Sequence, residues 1–141
     1  MSEAIKQKRP EFRNIHVTQI VSYRLPPAGI VSILHRVSGV LMFVLLPFVI
    51  WLFDASISSD ISYMQFSSAF AAGVGFLPGW LLKLVVLALI WAYLLHFCAG
   101  VRHLWMDMTH AVTKEFGHVS AVVTLVLSTL LTVALGYKLF F

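Results

Sequence analysis

Three stretches free of formal charge decide what this chain can fold into. Residues 37–53, 84–101 and 119–137 contain no Asp, Glu, Lys or Arg. Each approaches the roughly 20 apolar residues that a helix needs to cross a bilayer. A chain in hydrocarbon must satisfy its own backbone polar groups, so apolar runs of this length can only be helices. The chain as a whole agrees: 60% of its 141 residues are hydrophobic and 11% are charged, where a soluble domain carries about 25% charged residues. The fold class is therefore an all-α integral membrane protein with three transmembrane helices and no separate soluble domain.

The spans are expected at about 30–53, 80–106 and 119–137, and the membrane unit at 30–141. Pro47 lies inside the first and should cause a kink at most. Trp51, Trp80 and Trp105 mark interfaces. Between the first two spans, Tyr63, Phe66 and Phe70 recur at helical spacing, which predicts a short interfacial helix ended by Gly73, Gly75, Pro78 and Gly79. Residues 107–118 read as a short polar loop.

Residues 1–29 form a basic N-terminal arm. Lys6, Lys8, Arg9, Arg13 and Arg24 outnumber Glu3 and Glu11. The arm has no apolar core, so it is not a signal peptide, and its acidic residues set it apart from a transit peptide. It suits a solvated arm on anionic lipid heads or a strap for a soluble partner; it does not suggest nucleic acid. Pro26-Pro27 should block helix formation there. Six basic residues precede or open the first span and none lies in the first loop. The positive-inside rule then puts the N-terminus in the cytoplasm and the C-terminus in the periplasm of a bacterial inner membrane. No internal repeat is visible. A single cysteine, Cys98, excludes an internal disulfide, a thioether haem attachment and a cysteine-held cluster within the chain, and packing is its expected role.

Ionisable groups inside a span are expensive and point to function. His96, Gly100, His103 and Asp107 fall on one face of the second span. His96 is the deep one, with Ala92, Ala99 and Gly100 making its surroundings flat. Small residues admit a second helix, and they equally admit a large planar ring. A neutral imidazole is a good ligand for haem iron. On the first span, Ser32, His35, Arg36 and Gly39 share a face. Arg36 beside a serine and a histidine suits haem propionates or a quinone head group; snorkelling to lipid phosphate is the plainer reading. His35 should lie level with His103, seven residues and about 10 Å from His96 along the helix. One iron could then not easily take both His35 and His96. Either the second ligand is on another chain, or no bis-histidine haem exists. His103 could pair with Asp107. Arg102 points about 100° away from this face and should serve lipid phosphate or a partner carboxylate. His16, His110 and His118 read as solvated. No phosphate loop, nucleophile triad or metal-cluster spacing occurs, so no catalytic residue is assigned. A haem-free structural anchor and a transporter or proton-channel subunit are the alternatives left by the residues alone.

The motifs themselves are distinctive. Arg9-Pro10, then Ser32-Ile33-Leu34-His35-Arg36-Val37-Ser38-Gly39, then His96-x3-Gly100-x-Arg102-His103-x3-Asp107 closely resemble the cytochrome b membrane-anchor subunits of succinate dehydrogenase, respiratory complex II, over nearly the whole chain. The resemblance implies a pairing with a second small membrane anchor, one haem b between them, and docking of a flavoprotein and an iron–sulfur subunit on the cytoplasmic face. Electrons from succinate would pass through flavin and clusters to ubiquinone. Succinate oxidation would occur on another subunit. It implies that His96 is an axial ligand of the haem iron and that the partner anchor supplies the other. It implies that Ser32 and Arg36 belong to the quinone site, and that His35, His103 and Arg36 lie near the haem propionates. Between Pro10 and Ser32 this chain is longer than some relatives, so no role is carried onto that segment.

Overall fold

The computed structural model describes residues 16–141. These form six helices: α1 (Val17–Ser22), α2 (Pro27–Val44), α3 (Leu46–Ile57), α4 (Asp60–Ala72), α5 (Gly79–Thr109) and α6 (Lys114–Phe140). Among the described residues the sole β feature is an isolated bridge between Val74 and Leu77. Three helices, α2, α5 and α6, are long and apolar enough to cross a membrane, and α3 is a shorter apolar helix.

Of the expected basic arm, residues 1–15 lie outside the described residues, and the part from residue 16 to Pro27 differs from its expectation. Val17–Ser22 is helical, opened by a capping box in which the His16 side chain faces the Gln19 backbone and the Gln19 side chain returns to His16 N–H. Pro27 does not block a helix here. It opens α2 at its first position, with Pro26 as N-cap in extended geometry. A missing N–H costs nothing at that position, and the fixed φ suits the first turn.

The first span is divided. Helical geometry breaks at Leu45, with φ −88° and ψ 2°. Pro47, two residues on, has no N–H to give to the Phe43 carbonyl. The ladder resumes at once, since Val49 N–H reaches Leu45 O at 3.0 Å. The expected kink is therefore a break between α2 and α3. Ser59 caps α4, accepting from Ser62 N–H at 3.1 Å. Tyr63, Phe66 and Phe70 form a chain of ring contacts along it, and α4 packs against α3 and α5. Gly73 at φ +93° ends it. A Cβ there would collide with the Leu77 carbonyl oxygen, so the tight return to α5 requires glycine.

The loop between the last two spans is shorter than hydropathy suggests. α5 continues to Thr109, His110 caps it in left-handed geometry, and Thr113 opens α6 by accepting from Phe116 N–H at 3.2 Å. Residues 107–109 and 114–118, within the expected loop, are helical.

α5 is the central helix and packs on both α2 and α6. The core is built from small side chains: Val31, Ala99 and Ala121 meet at its centre, with Ala28 and Leu125 against them. On α6 the buried positions Ala121, Thr124, Ser128 and Gly136 lie on one face. At Gly136 an added Cβ would stand 2.8 Å from Leu87 Cδ1. Apolar burial does not drive helices together in lipid, so close approach through small residues supplies the packing. The hydroxyls on this face are satisfied within their own helix: Thr124 Oγ1 donates to Ser120 O at 2.9 Å and Thr132 Oγ1 to Ser128 O at 2.7 Å.

Candidate functional site

Where α2 crosses α5, three imidazoles meet. The His35 ring stacks on His96 with centroids 4.0 Å apart and planes at 27°, and lies 5.4 Å from His103. The structure thus brings His35, His96 and His103 into one cluster. This corrects the expected depth. His35 is not level with His103 and remote from His96; its ring stands between the two and is nearer to His96. The rise per residue fixes backbone heights, whereas imidazoles on facing helices can each reach several ångströms along the interface.

The close approach has a visible cause. Gly39 on α2 faces His96, where a Cβ would stand 3.1 Å from His96 Cε1 and 3.5 Å from Nδ1. Gly100 on α5 faces His35, with Nε2 4.0 Å from where its Cβ would be. Each histidine therefore sits over a glycine on the opposite helix. The flat face around His96 admits a second helix, and that helix is α2.

His96 is held by one nitrogen. Its Nδ1 lies 3.0 Å from the His35 carbonyl oxygen and 3.1 Å from Ser38 Oγ. A carbonyl carries no proton, so the first contact requires the proton on Nδ1. Ser38 Oγ donates to the same carbonyl at 2.8 Å and turns a lone pair to Nδ1–H. In a neutral imidazole with its proton on Nδ1 the lone pair is on Nε2, and Nε2 makes no hydrogen bond among the described residues. A backbone carbonyl that fixes the tautomer of a histidine is the arrangement that prepares the other nitrogen for a metal.

Ser38 is the residue of this cluster that the sequence reading missed. It is fully buried. The available signal was a serine three residues after His35 in the middle of an apolar span, where a hydroxyl needs a partner. His35 has the opposite condition: its Nε2 is buried with no partner among the described residues. An unpaired buried donor or acceptor costs about 1–3 kcal/mol.

The Ser32, His35, Arg36 and Gly39 face divides in the structure. His35 and Gly39 pack on α5, Ser32 is half-buried and Arg36 is exposed. His103 is half-buried and Asp107 exposed, and no hydrogen bond joins them. Arg102 turns away from the histidines and packs on α6, where Nε donates to Ser120 Oγ at 2.8 Å and Nη2 to Gly117 O at 3.3 Å. His16, His110 and His118 are exposed, and Cys98 is half-buried. Among the described residues no three His, Cys, Asp or Glu side chains converge on a point that would hold a bare metal ion. What this site offers is one oriented imidazole nitrogen, which suits an iron whose equatorial ligands come with it.

Comparison with known proteins agrees in class. Residues 9–135 match the family described as succinate dehydrogenase/fumarate reductase transmembrane subunit. The chain is 32% identical over 129 residues to the succinate dehydrogenase cytochrome b556 subunit of Coxiella burnetii, covering 92% of this chain and 94% of that one. It is 27% identical over 133 residues to the subunit of the same name from Rickettsia felis, covering 94% of each chain. It is 28% identical over 121 residues to that of Paracoccus denitrificans, covering 86% of this chain and 84% of that one.

Proposed function

The chain belongs to the succinate dehydrogenase/fumarate reductase transmembrane-subunit family, and from that membership we propose that it is the haem-b-binding membrane anchor of a succinate:ubiquinone oxidoreductase. The observation that carries the proposal is the Nδ1 anchoring of His96 by the His35 carbonyl and Ser38 Oγ. It leaves Nε2 as an oriented donor for iron. When bound, haem b supplies a one-electron redox centre. The chain's own residues orient it and set its surroundings.

His35 does not serve as the second axial ligand. Its ring is stacked on His96 at 4.0 Å, so the two imidazoles leave no space between them that would admit a large planar ring. The second ligand comes from a partner, the second small anchor subunit. His35, with its unpaired Nε2, and His103 beside it offer donors to the haem propionates, with Arg36 adding a cation. Ser32 and Arg36 make no hydrogen bond among the described residues and lie one turn apart on α2, Ser32 half-buried and Arg36 exposed. They are placed to hold a ubiquinone head group: Arg36 stabilises negative charge as the quinone takes electrons, and Ser32 hydrogen-bonds a carbonyl.

The flavoprotein and iron–sulfur subunits dock at the end of the bundle that bears Arg36, His103 and Asp107, and succinate oxidation takes place there, off this chain. The basic N-terminal residues put that end in the cytoplasm and the C-terminus in the periplasm of a bacterial inner membrane. A reduced-minus-oxidised optical spectrum of the purified complex tests the reading. A b-type haem should be present and lost in His96→Ala. Full haem absorbance in that variant, or no haem in the native complex, would reject it.

A further inference from the structure

A second polar feature lies apart from the histidine cluster, on the other side of α5. Arg102 is 8% exposed and lines an apolar groove of about 430 Å³ between α5 and α6. Its two partners, Ser120 Oγ and Gly117 O, are both neutral, and no ion pair joins it to a carboxylate among the described residues. A guanidinium has five N–H donors, so three remain for another acceptor. A buried cation without a counter-charge is costly.

The groove has the shape of an amphiphile. Below Arg102 its walls are Phe97, Val101, Val123 and Leu127. The two hydroxyls on its lining, Ser120 and Thr124, are already engaged with Arg102 or backbone carbonyls. From Phe97 to Trp105 it follows α5 for about 12 Å at the helical rise. Arg102 Nη2 donates to Gly117 O, and the α6 surface at that glycine is open, with no heavy atom within 4 Å of where its Cβ would stand. Trp105 at this end suits the head-group level of a bilayer. One cation at the top of a dry slot matches one phosphate above an acyl chain. Arginine and phosphate also pair through two parallel hydrogen bonds.

We propose that the α5/α6 groove binds an anionic phospholipid, with its phosphate on Arg102 and one acyl chain lying along Val101, Val123 and Leu127. This site is independent of the haem assignment.

The test uses the complex purified with its natural partners in mild detergent, with bound lipid read by native mass spectrometry. One anionic phospholipid should stay with the wild type, Arg102→Gln should weaken its retention about tenfold, the loss expected for a charge-assisted contact, and Arg102→Lys should keep most of it. Val123→Trp leaves Arg102 intact but fills the slot, and it should also expel the lipid while haem content stays at the wild-type level. After delipidation, phosphatidylglycerol should raise the melting temperature of the wild type, and phosphatidylcholine or inorganic phosphate should not. Equal lipid retention in wild type, Arg102→Gln and Val123→Trp would overturn the proposal. So would loss of a protein subunit from Arg102→Gln with the lipid unchanged, which would assign Arg102 to a partner carboxylate. If Arg102→Gln does not assemble, retention by Val123→Trp decides: lipid kept despite the filled slot refutes the site.

Discussion

Replacing Gly39 by alanine should damage the site through a single methyl group. The added Cβ would stand 3.1 Å from His96 Cε1 and 3.5 Å from Nδ1. Ordinary carbon contacts begin near 3.5 Å, so the ring or the helix must yield by about 0.4 Å. The ring has little freedom to do so. Its Nδ1 is tied to α2 itself by contacts of 3.0 and 3.1 Å, and its face is against His35. A retreat of that size stretches both contacts beyond about 3.3 Å, outside the usual range for an N–H···O bond. Overpacking of a tight interior costs about 1–3 kcal/mol, equivalent to roughly fivefold to 150-fold in an equilibrium constant. The expected result is weaker haem retention, read as haem per complex after detergent washing, together with a lower melting temperature. Gly29→Ala is the control. It lies in the same helix, and its Cβ would meet Leu25 Cδ2 at an ordinary 3.5 Å. If Gly39→Ala retains haem and melts like Gly29→Ala, the close seat of His96 on α2 is wrong.

Ser38→Ala removes one of the two groups at His96 Nδ1 but keeps the carbonyl; haem should be released about tenfold faster, the effect typical of an outer-shell partner, and an unchanged release rate would count against the tautomer argument. Gly73→Ala should lower complex stability by about 2 kcal/mol or more, because a positive φ is strained for alanine and the Cβ collides with Leu77 O; a melting temperature equal to wild type would contradict the tight turn. Arg36→Ala should slow ubiquinone reduction about tenfold or more, the scale of a charge-assisted contact, while succinate oxidation by an artificial acceptor is unaffected. Equal losses in both assays would remove Arg36 from the quinone site.

The three long helices were legible because charge-free runs of spanning length leave lipid-compatible chains no other choice. Their ends were less so. Hydropathy marks where the membrane stops, and Asp107–Thr109 and Lys114–His118 carry their helices past that point. Pro27 was misread because proline forbids a helix interior yet suits a helix start. At the site, His96 and its small neighbours stood out in the sequence, since a histidine amid alanines in a span is rare. The relation of His35 to His96 did not. It depends on how far α2 slides along α5, and that is set by which glycine meets which ring, a pairing between residues about sixty positions apart. Ser38 stayed unnoticed for the same reason: its role exists only once α2 and α5 are side by side.

The central claim is that His96 Nε2 binds the iron of haem b and that the opposite ligand comes from outside this chain. His96→Met in the assembled complex tests it most directly, read by the near-infrared charge-transfer band that marks methionine on low-spin ferric haem. The account predicts no methionine band in the native complex and the appearance of that band, or loss of the haem, in the variant. A variant that keeps its haem with a spectrum unaltered from the native complex would contradict it.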